Sequence, residues 1–341
     1  MHRPLCIVAL FLIAQAACAA GVPDSSLKAG DASITVRFSE EVPQAFRTLV
    51  ESWVHDAADA VMTVYGRYPV KQVMISLEVG RGGRGVSSGR TFDGRLIRVR
   101  VASDVTRAIL HSDWILTHEM FHLGFPDTEA DWIGEGLSTY LEPLARARAG
   151  QLGAGEVWGS MMDGFPKGLP AAGDMGLDKT PTWGRTYWGG ALFWLLADIE
   201  IRQKSDHRKS LDDVLRAIVA EGGTGAANWP EEKIFRRGDA AIGMPILEKL
   251  HERLGAHSET TDLAALWAQL GVSRKGGAVV FNEDAPLAAI RLALTSGRNR
   301  DSSHSVVPLT RHISRHTNNQ RCSQKALAPL ATLFVPLSRR R

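Results

Sequence analysis

Cysteine is scarce in this chain of 341 residues, which has only three: Cys6, Cys18 and Cys322. The first two lie in an amino-terminal segment that we expect to be removed, so the mature chain would keep a single thiol. One thiol cannot form an intramolecular disulfide, and the fold must then depend on its hydrophobic core. Hydrophobic residues make up 44% of the chain and charged residues 23%, an ordinary globular composition that excludes a disordered protein.

Long apolar runs are also nearly absent, and the single one is at the amino terminus. His2 and Arg3 precede an apolar run over residues 5–14, and Ala17-Cys18-Ala19 then has the small-x-small pattern of a cleavage site. These features predict a signal peptide over residues 1–19 and export to the periplasm or the extracellular space. The alternative is a membrane anchor, through an uncleaved signal or a lipid on Cys18. No membrane span is expected after signal removal.

A phosphate-binding loop is missing as well. Residues 80–94 are rich in glycine, but no Gly-Lys-Ser or Gly-Lys-Thr follows them, so they lack the residues that hold nucleotide phosphates. We interpret this stretch as a flexible hairpin loop.

Net positive charge is confined to the carboxy-terminal end. Residues 297–341 contain nine Lys or Arg against one Asp, whereas the whole chain carries a net charge of only +3, so the rest of the chain is acidic. We predict a disordered basic tail over residues 296–341, with a tail that binds polyanions as the alternative. The folded domain is not expected to bind nucleic acid.

Metal-binding residues form the most informative pattern in the chain. His118-Glu119-Met120-Phe121-His122 reads H-E-x-x-H, and Glu135 follows after a spacer of twelve residues. Positions four apart share one face of a helix, so both imidazoles can bind one ion while Glu119 lies beside them. Two histidines and a carboxylate are the three protein ligands typical of catalytic zinc, which keeps a fourth position open. We therefore predict one Zn²⁺ bound by His118, His122 and Glu135. In the alternative, the two histidines only hydrogen-bond within a buried helix.

The residues around the motif predict two helices. Apolar residues recur at helical spacing over residues 104–125, and Gly124 and Pro126 should end this helix. A second amphipathic helix is expected over residues 131–142, where Pro143 should end or kink it. A short turn between the two helices would set the Glu135 carboxylate against the paired histidines.

This stretch resembles a known family. The run from Thr117 to Pro143 is similar to the active-site helices of gluzincin zinc metallopeptidases, particularly glycyl and, more distantly, alanyl aminopeptidases. A second similarity begins at Arg185-Thr186-Tyr187-Trp188, which resembles the Tyr-x-Lys-Gly-Ala helix of glycyl aminopeptidases. In those families the tyrosine donates a hydrogen bond to the oxyanion, a role that the resemblance assigns to Tyr187. A plain core aromatic is the alternative reading of Tyr187.

The sequence departs from these families at specific positions. Gly189 stands where lysine is common, and no Gly-x-Met-Glu-Asn motif, which binds the free amino terminus of a peptide, precedes the zinc helix. Cleavage at an amino terminus and internal cleavage are therefore both left open. Gly189 and Gly190 have two readings, close approach of substrate or tight packing of helices.

The resemblance implies an α+β fold with the layout of a thermolysin-like gluzincin catalytic domain. We expect a linker over residues 20–33 and the catalytic domain over residues 34–295. The domain should have an amino-terminal subdomain of mixed sheet and helix, an all-helical carboxy-terminal subdomain, and zinc in the cleft between them. Strands are expected over residues 32–38, 71–79 and 95–101, an irregular loop over 153–183, and helices over 41–65, 185–204, 210–220, 244–254 and 262–270.

The expected activity is hydrolysis of peptide bonds in a peptide or protein substrate. Glu119 is expected to act as the general base toward a zinc-activated water. Extended substrate would add to the sheet along residues 95–101 or the strand before them. The alternative function is a catalytically inactive, zinc-containing peptide-binding protein of the cell envelope. The oligomeric state is left open.

Overall fold

The computed structural model describes residues 24–81, 83 and 85–296. The expected signal peptide with Cys18 and the expected basic tail with Cys322 lie outside the described residues. Among the helices of the described residues, none combines the length and apolar character needed to cross a membrane.

A five-stranded mixed sheet forms the amino-terminal part of the fold. Its strands run in the order β1-β2-β3-β5-β4. β2, β3 and β5 are parallel, while β1 and β4 pair antiparallel at the two edges. The strands are β1 Ser25–Ala29, β2 Ala32–Phe38, β3 Gln72–Gly80, β4 Val86–Phe92 and β5 Leu96–Ala102. Because β1 pairs with β2, the segment predicted as a linker contributes a strand to the sheet.

The core of this half lies between the sheet and a long helix. Helix α1, Gln44–Tyr65, connects β2 to β3 and buries Val50, Val54 and Val61 completely. The facing strands bury Ile34, Ile75 and Ile97. Alternation along the central strands and helical spacing along α1 predicted these elements, and the structure confirms them.

Strand β4 lies within the glycine-rich stretch that the sequence predicted to be a loop. Its residues are mostly half-exposed on both faces, so they show no apolar alternation that a sequence pattern could detect. The sequence does contain a turn signal, however, because Asp93-Gly94 is a dipeptide that favours two-residue hairpin turns. In the structure both residues have positive φ, as these turns require. β4 is an edge strand, whereas the predicted edge strand β5 lies between β3 and β4. The strand predicted before it, residues 71–79, lies between β2 and β5, so neither it nor residues 95–101 can be the sheet edge that accepts substrate.

The predicted helix over residues 104–125 is two helices. Helix α2, Arg107–Ser112, ends at Asp113, whose backbone is extended, and helix α3 runs from Ile115 to Leu123. The Asp113 carboxylate accepts a hydrogen bond of 3.2 Å from the backbone N–H of Leu116 and so caps the start of α3. Apolar spacing continues across the break, which is why the pattern predicted one helix.

The sequence predicted that Pro143 would end or kink helix α4, Asp131–Arg148. The helix continues past this proline, so an end at Pro143 is wrong. Proline removes one intrahelical hydrogen bond, and the packing of the next turn offsets that loss. Leu144 and Ala145 are fully buried there, and Arg146 donates to Glu142 over 2.8 Å.

The carboxy-terminal part is mainly helical. Its helices are α5 Ala154–Gly164, α6 Gly190–Lys204, α7 Leu211–Ala220, α8 Glu231–Ile242, α9 Leu247–Leu250, α10 Leu263–Leu270 and α11 Ala288–Thr295. A 3₁₀ turn spans Phe165–Gly168, and π turns span Arg185–Gly189 and His251–Gly255.

Three sequence expectations for this part are wrong in detail. α5 and the 3₁₀ turn occupy much of the stretch predicted to be an irregular loop. The expected helix over residues 244–254 is the short α9 followed by a π turn. A hairpin of β6 Val272–Lys275 and β7 Ala278–Phe281 interrupts the half that was expected to be all-helical.

Helices α4 and α6 cross with their backbones in contact at two glycines. A Cβ on Gly136 would lie 2.4 Å from Gly190 Cα, and one on Gly190 would lie 2.3 Å from the carbonyl oxygen of Trp132. The Trp194 indole on α6 also donates to the Ile133 carbonyl over 2.9 Å. Gly190 therefore allows tight helix packing, which decides between the two readings of this glycine.

We predict that Gly136→Ala destabilises the protein by about 1–3 kcal/mol, because the added methyl group overpacks this crossing. Gly155→Ala in α5 is the matched control, since its Cβ would have no neighbour within 4 Å and alanine favours a helix. Urea unfolding followed by circular dichroism measures both variants. Equal unfolding midpoints for Gly136→Ala and the parent protein would contradict the packing described here.

Candidate metal centre

The two histidines and Glu135 meet at one point between α3 and α4. His118 Nε2 lies 3.1 Å from Glu135 Oε2, and His122 Nε2 lies 3.6 Å from the same oxygen. One ligand atom from each of the three residues lies within 4.8 Å of the other two. Bonds of about 2.0–2.2 Å in a tetrahedral zinc shell place neighbouring donors roughly 3.3–3.6 Å apart. The spacing and chemistry of this donor set therefore fit one zinc ion.

Local packing orients the His118 imidazole. His118 is the most buried of the three residues, with a side chain that is 5% exposed. The Trp114 ring meets it edge-on at 5.4 Å between centroids, and the Tyr187 ring lies nearly parallel at 6.3 Å. Nδ1 of His118 has no hydrogen-bond partner within the described part of the chain, so aromatic packing orients this ring.

Glu135 carries its negative charge in spite of burial. Burial by itself would raise the pKa of this carboxyl, but the charge of His122 and hydrogen bonds from both imidazoles outweigh it, and the pKa is held well below its usual range. A charged carboxylate beside two imidazoles is what a divalent cation requires of a third ligand.

Glu119 faces the same space and is held by strand β4. The Thr91 hydroxyl lies 2.8 Å from Glu119 Oε2 and 2.8 Å from the carbonyl oxygen of the same residue. Two residues earlier on β4, a Cβ on Gly89 would lie 2.8 Å from Glu119 Cγ. β4 therefore approaches α3 closely and fixes the Glu119 side chain. Sequence reasoning missed Thr91 because it treated this strand as a loop.

Tyr187 lies in the π turn that precedes α6, where its hydroxyl hydrogen-bonds to Glu135. Its pKa is raised by burial first, and then by the negative charges of Glu135 and Glu119. The phenol therefore stays protonated at neutral pH and can donate a hydrogen bond. The structure brings Tyr187 to the metal residues and not into the core. Gly189, two residues on, packs against Leu177 and does not line the cleft.

A cleft of about 620 Å³ opens over these residues. Its lining includes residues of the edge strand β4, of α3, of the start of α4 and of the π turn that carries Tyr187. The five predicted site residues His118, Glu119, His122, Glu135 and Tyr187 all line it. Their roles stay predictions, but the structure brings every one of them to the same surface.

Comparison with known proteins gives the fold a family context. No protein-family model and no curated relative matches the sequence. An aminopeptidase N family protein from Idiomarina loihiensis matches the structure with a TM-score of 0.54 at 15% identity, over 73% of this chain and 49% of that one. This match shows that the α+β fold is shared.

Two further structural neighbours are similar to a lower degree. One is an M1 zinc metallopeptidase from Deinococcus radiodurans, with a TM-score of 0.47 at 14% identity, over 70% of this chain and 51% of that one. The other is yeast LTA4 hydrolase, with a TM-score of 0.43 at 14% identity, over 73% of this chain and 43% of that one. The chain therefore spans about half the length of the solved proteins that it resembles.

We predict that Glu135→Ala loses one equivalent of zinc, because it removes one of the three converging donors. Glu119→Gln is the control, since its carboxylate points at Thr91 and is not one of the three donors, so it should keep the zinc content of the parent protein. Elemental analysis after dialysis against excess zinc and gel filtration measures both variants. Unchanged zinc content in Glu135→Ala would contradict the assignment.

Proposed function

We propose that this protein is an exported zinc-dependent peptidase. The observation that carries the proposal is the convergence of two imidazole nitrogens on one Glu135 oxygen, in residues that line an open cleft. The fold shared with an aminopeptidase N family protein agrees with it. Three protein ligands leave a coordination position open, which suits catalysis, whereas structural zinc has four. Export is proposed from the apolar run and the small-x-small pattern of residues 1–19.

A zinc ion held by His118, His122 and Glu135 would supply the Lewis acid that lowers the pKa of water to about 7 and polarises the scissile carbonyl. Glu119 would accept the proton of the attacking water and pass it to the leaving amine. The hydrogen bond from Thr91 would keep the accepting oxygen in place through both transfers.

Tyr187 would stabilise the negative charge that develops on the carbonyl oxygen. Its phenol is protonated and in hydrogen-bond contact with Glu135, so it lies beside the proposed metal position. A donor that is already in place when charge develops needs no reorganisation during the reaction, which is why such donors contribute strongly to catalysis.

The proposed substrate is an extended peptide lying along β4. This strand pairs with β5 on one side, and in the described part of the chain no strand pairs with its other side. Its residues also line the cleft, as Tyr187 does. A peptide could therefore add to the sheet through main-chain hydrogen bonds and present one of its bonds to the metal residues.

Hydrolysis of a mixed peptide library tests the proposal. We expect the zinc-loaded protein to cleave, and Glu119→Gln to keep its zinc while turnover falls by about 10²–10⁴-fold, the usual contribution of a general base. Mass spectrometry of the products locates each cut and so distinguishes amino-terminal from internal cleavage. Zinc without any cleavage by the parent protein would instead favour the peptide-binding alternative.

We predict that Tyr187→Phe lowers kcat by about 10²–10³-fold, because loss of one oxyanion donor costs about 2.7–4 kcal/mol. KM and zinc content should change little, since the phenyl ring keeps its packing against His118. Steady-state kinetics on one peptide from the library provides both constants. A variant with the kcat of the parent protein would remove Tyr187 from the reaction.

A further inference from the structure

We propose a second divalent cation site, formed by Asp178, Glu231 and His251 and separate from the centre at His118. His251 Nε2 lies 2.9 Å from Asp178 Oδ2 and 3.9 Å from Glu231 Oε2. One ligand atom from each residue lies within 4.8 Å of the other two. The three side chains are each between 21% and 23% exposed, so an ion can reach them from solvent.

The three donors come from separate parts of the chain. Asp178 lies in the segment between the 3₁₀ turn and the first π turn, Glu231 is the first residue of α8, and His251 is the first residue of the second π turn. Residues from such distant positions share a point in space only because the tertiary fold brings them there. We call residues 169–184 the rim segment, because Trp183 near its end lines the cleft. An ion bound by all three donors would link the rim segment to α8 and to the second π turn.

Asp178 and His251 are already held in place for binding. The other Asp178 oxygen, Oδ1, accepts a hydrogen bond of 2.9 Å from the Trp132 indole. The His251 ring packs against Phe235 at 4.8 Å between centroids and lies nearly parallel to Trp132 at 6.3 Å. A metal site gains affinity when neighbouring groups fix the orientation of its ligands in this way. To bind an ion, Glu231 must move closer to His251 and the 2.9 Å Asp178–His251 pair must open slightly, because a tetrahedral shell places donors roughly 3.3–3.6 Å apart.

At this site the backbone of Gly255 lies very close to His251 and Asp178. Asp178 N–H donates to the Gly255 carbonyl over 3.1 Å, which ties the rim segment to the second π turn. A Cβ on Gly255 would lie 2.2 Å from His251 Cδ2 and 3.2 Å from Asp178 Oδ1. Glycine at this position therefore lets the imidazole and the carboxylate meet.

The charge and the donor chemistry together select the ion. Two carboxylates act on one another here, Glu129 and Glu232 add negative charge nearby, and His251 and Lys179 are the opposing positive charges that act on Asp178. This surplus of negative charge favours a divalent cation. Imidazole with carboxylate suits zinc, manganese or cobalt, whereas calcium prefers a shell made only of oxygen. We therefore assign the site to a transition-metal dication and use Co²⁺ and Zn²⁺ as probes.

An ion bound at the second site would also affect residues of the cleft. Trp132 lies on α4 one turn before Glu135, and its indole donates to the proposed ligand Asp178. The rim segment that contains Asp178 continues to Trp183, which lines the cleft. An ion at the second site would hold the rim segment against α8 and the second π turn.

Metal titration of the metal-free, full-length protein tests the proposal. We expect two equivalents of Co²⁺ or Zn²⁺ for the parent protein, and one for Asp178→Asn, Glu231→Gln and Glu135→Ala. Glu232→Gln is the matched control, because Glu232 neighbours Glu231 but lies outside the donor cluster, and it should bind two. Thermal melts of the Glu135→Ala protein, in which only the second site remains, should shift upward on addition of zinc.

The outcomes distinguish the two centres from each other. One equivalent in the parent protein that Glu135→Ala abolishes and Glu231→Gln retains would overturn the second site and leave the peptidase proposal intact. Two equivalents retained in Glu231→Gln would also overturn it. Loss of one equivalent in Glu231→Gln, with a folded circular dichroism spectrum and without loss in Glu232→Gln, would support it, even if no peptide is hydrolysed.

Discussion

The convergence of His118 Nε2 and His122 Nε2 on a single Glu135 oxygen depends on how closely α3 and α4 approach each other. Helix α3 can place two imidazoles on one face, but a third donor must come from a helix held at the right distance. Gly134 on α4 lies beside the His122 ring of α3, where a Cβ would be 3.8 Å from Nδ1, and α4 is itself held against α6 by the contact of Gly136 with Gly190 and by the hydrogen bond from Trp194 to Ile133. The packing of the helical half thus decides whether the metal donors can meet.

The sheet supplies the other half of the site. Strand β4 carries Gly89, which lets it approach α3, and Thr91, which hydrogen-bonds to Glu119. β4 is also an edge strand of the described sheet, and its residues line the cleft. The same short strand therefore positions the proposed base and borders the space where a peptide would lie. Asp113, which breaks the long apolar stretch and caps α3, sets where the metal helix begins.

Local patterns predicted the parts of the structure that depend on local physics. The spacing of His118 and His122 requires only a helix, and alternation along β2, β3 and β5 requires only that one face of the sheet be buried. Where packing against distant residues decides, local patterns were not sufficient: the half-exposed β4 shows no alternation, and α4 continues through Pro143 because Leu144 and Ala145 are buried. The cluster of Asp178, Glu231 and His251 has no local pattern, because its members are far apart in the chain.

Anomalous diffraction at the zinc absorption edge, from crystals of the zinc-loaded protein, tests the metal centre most directly. We expect an anomalous peak within about 2.0–2.2 Å of Nε2 of both His118 and His122 and of a Glu135 oxygen, with solvent at the remaining position. A peak with a fourth protein ligand in that position, or no peak between α3 and α4 when zinc is in excess, would contradict the account of this site as a catalytic zinc centre.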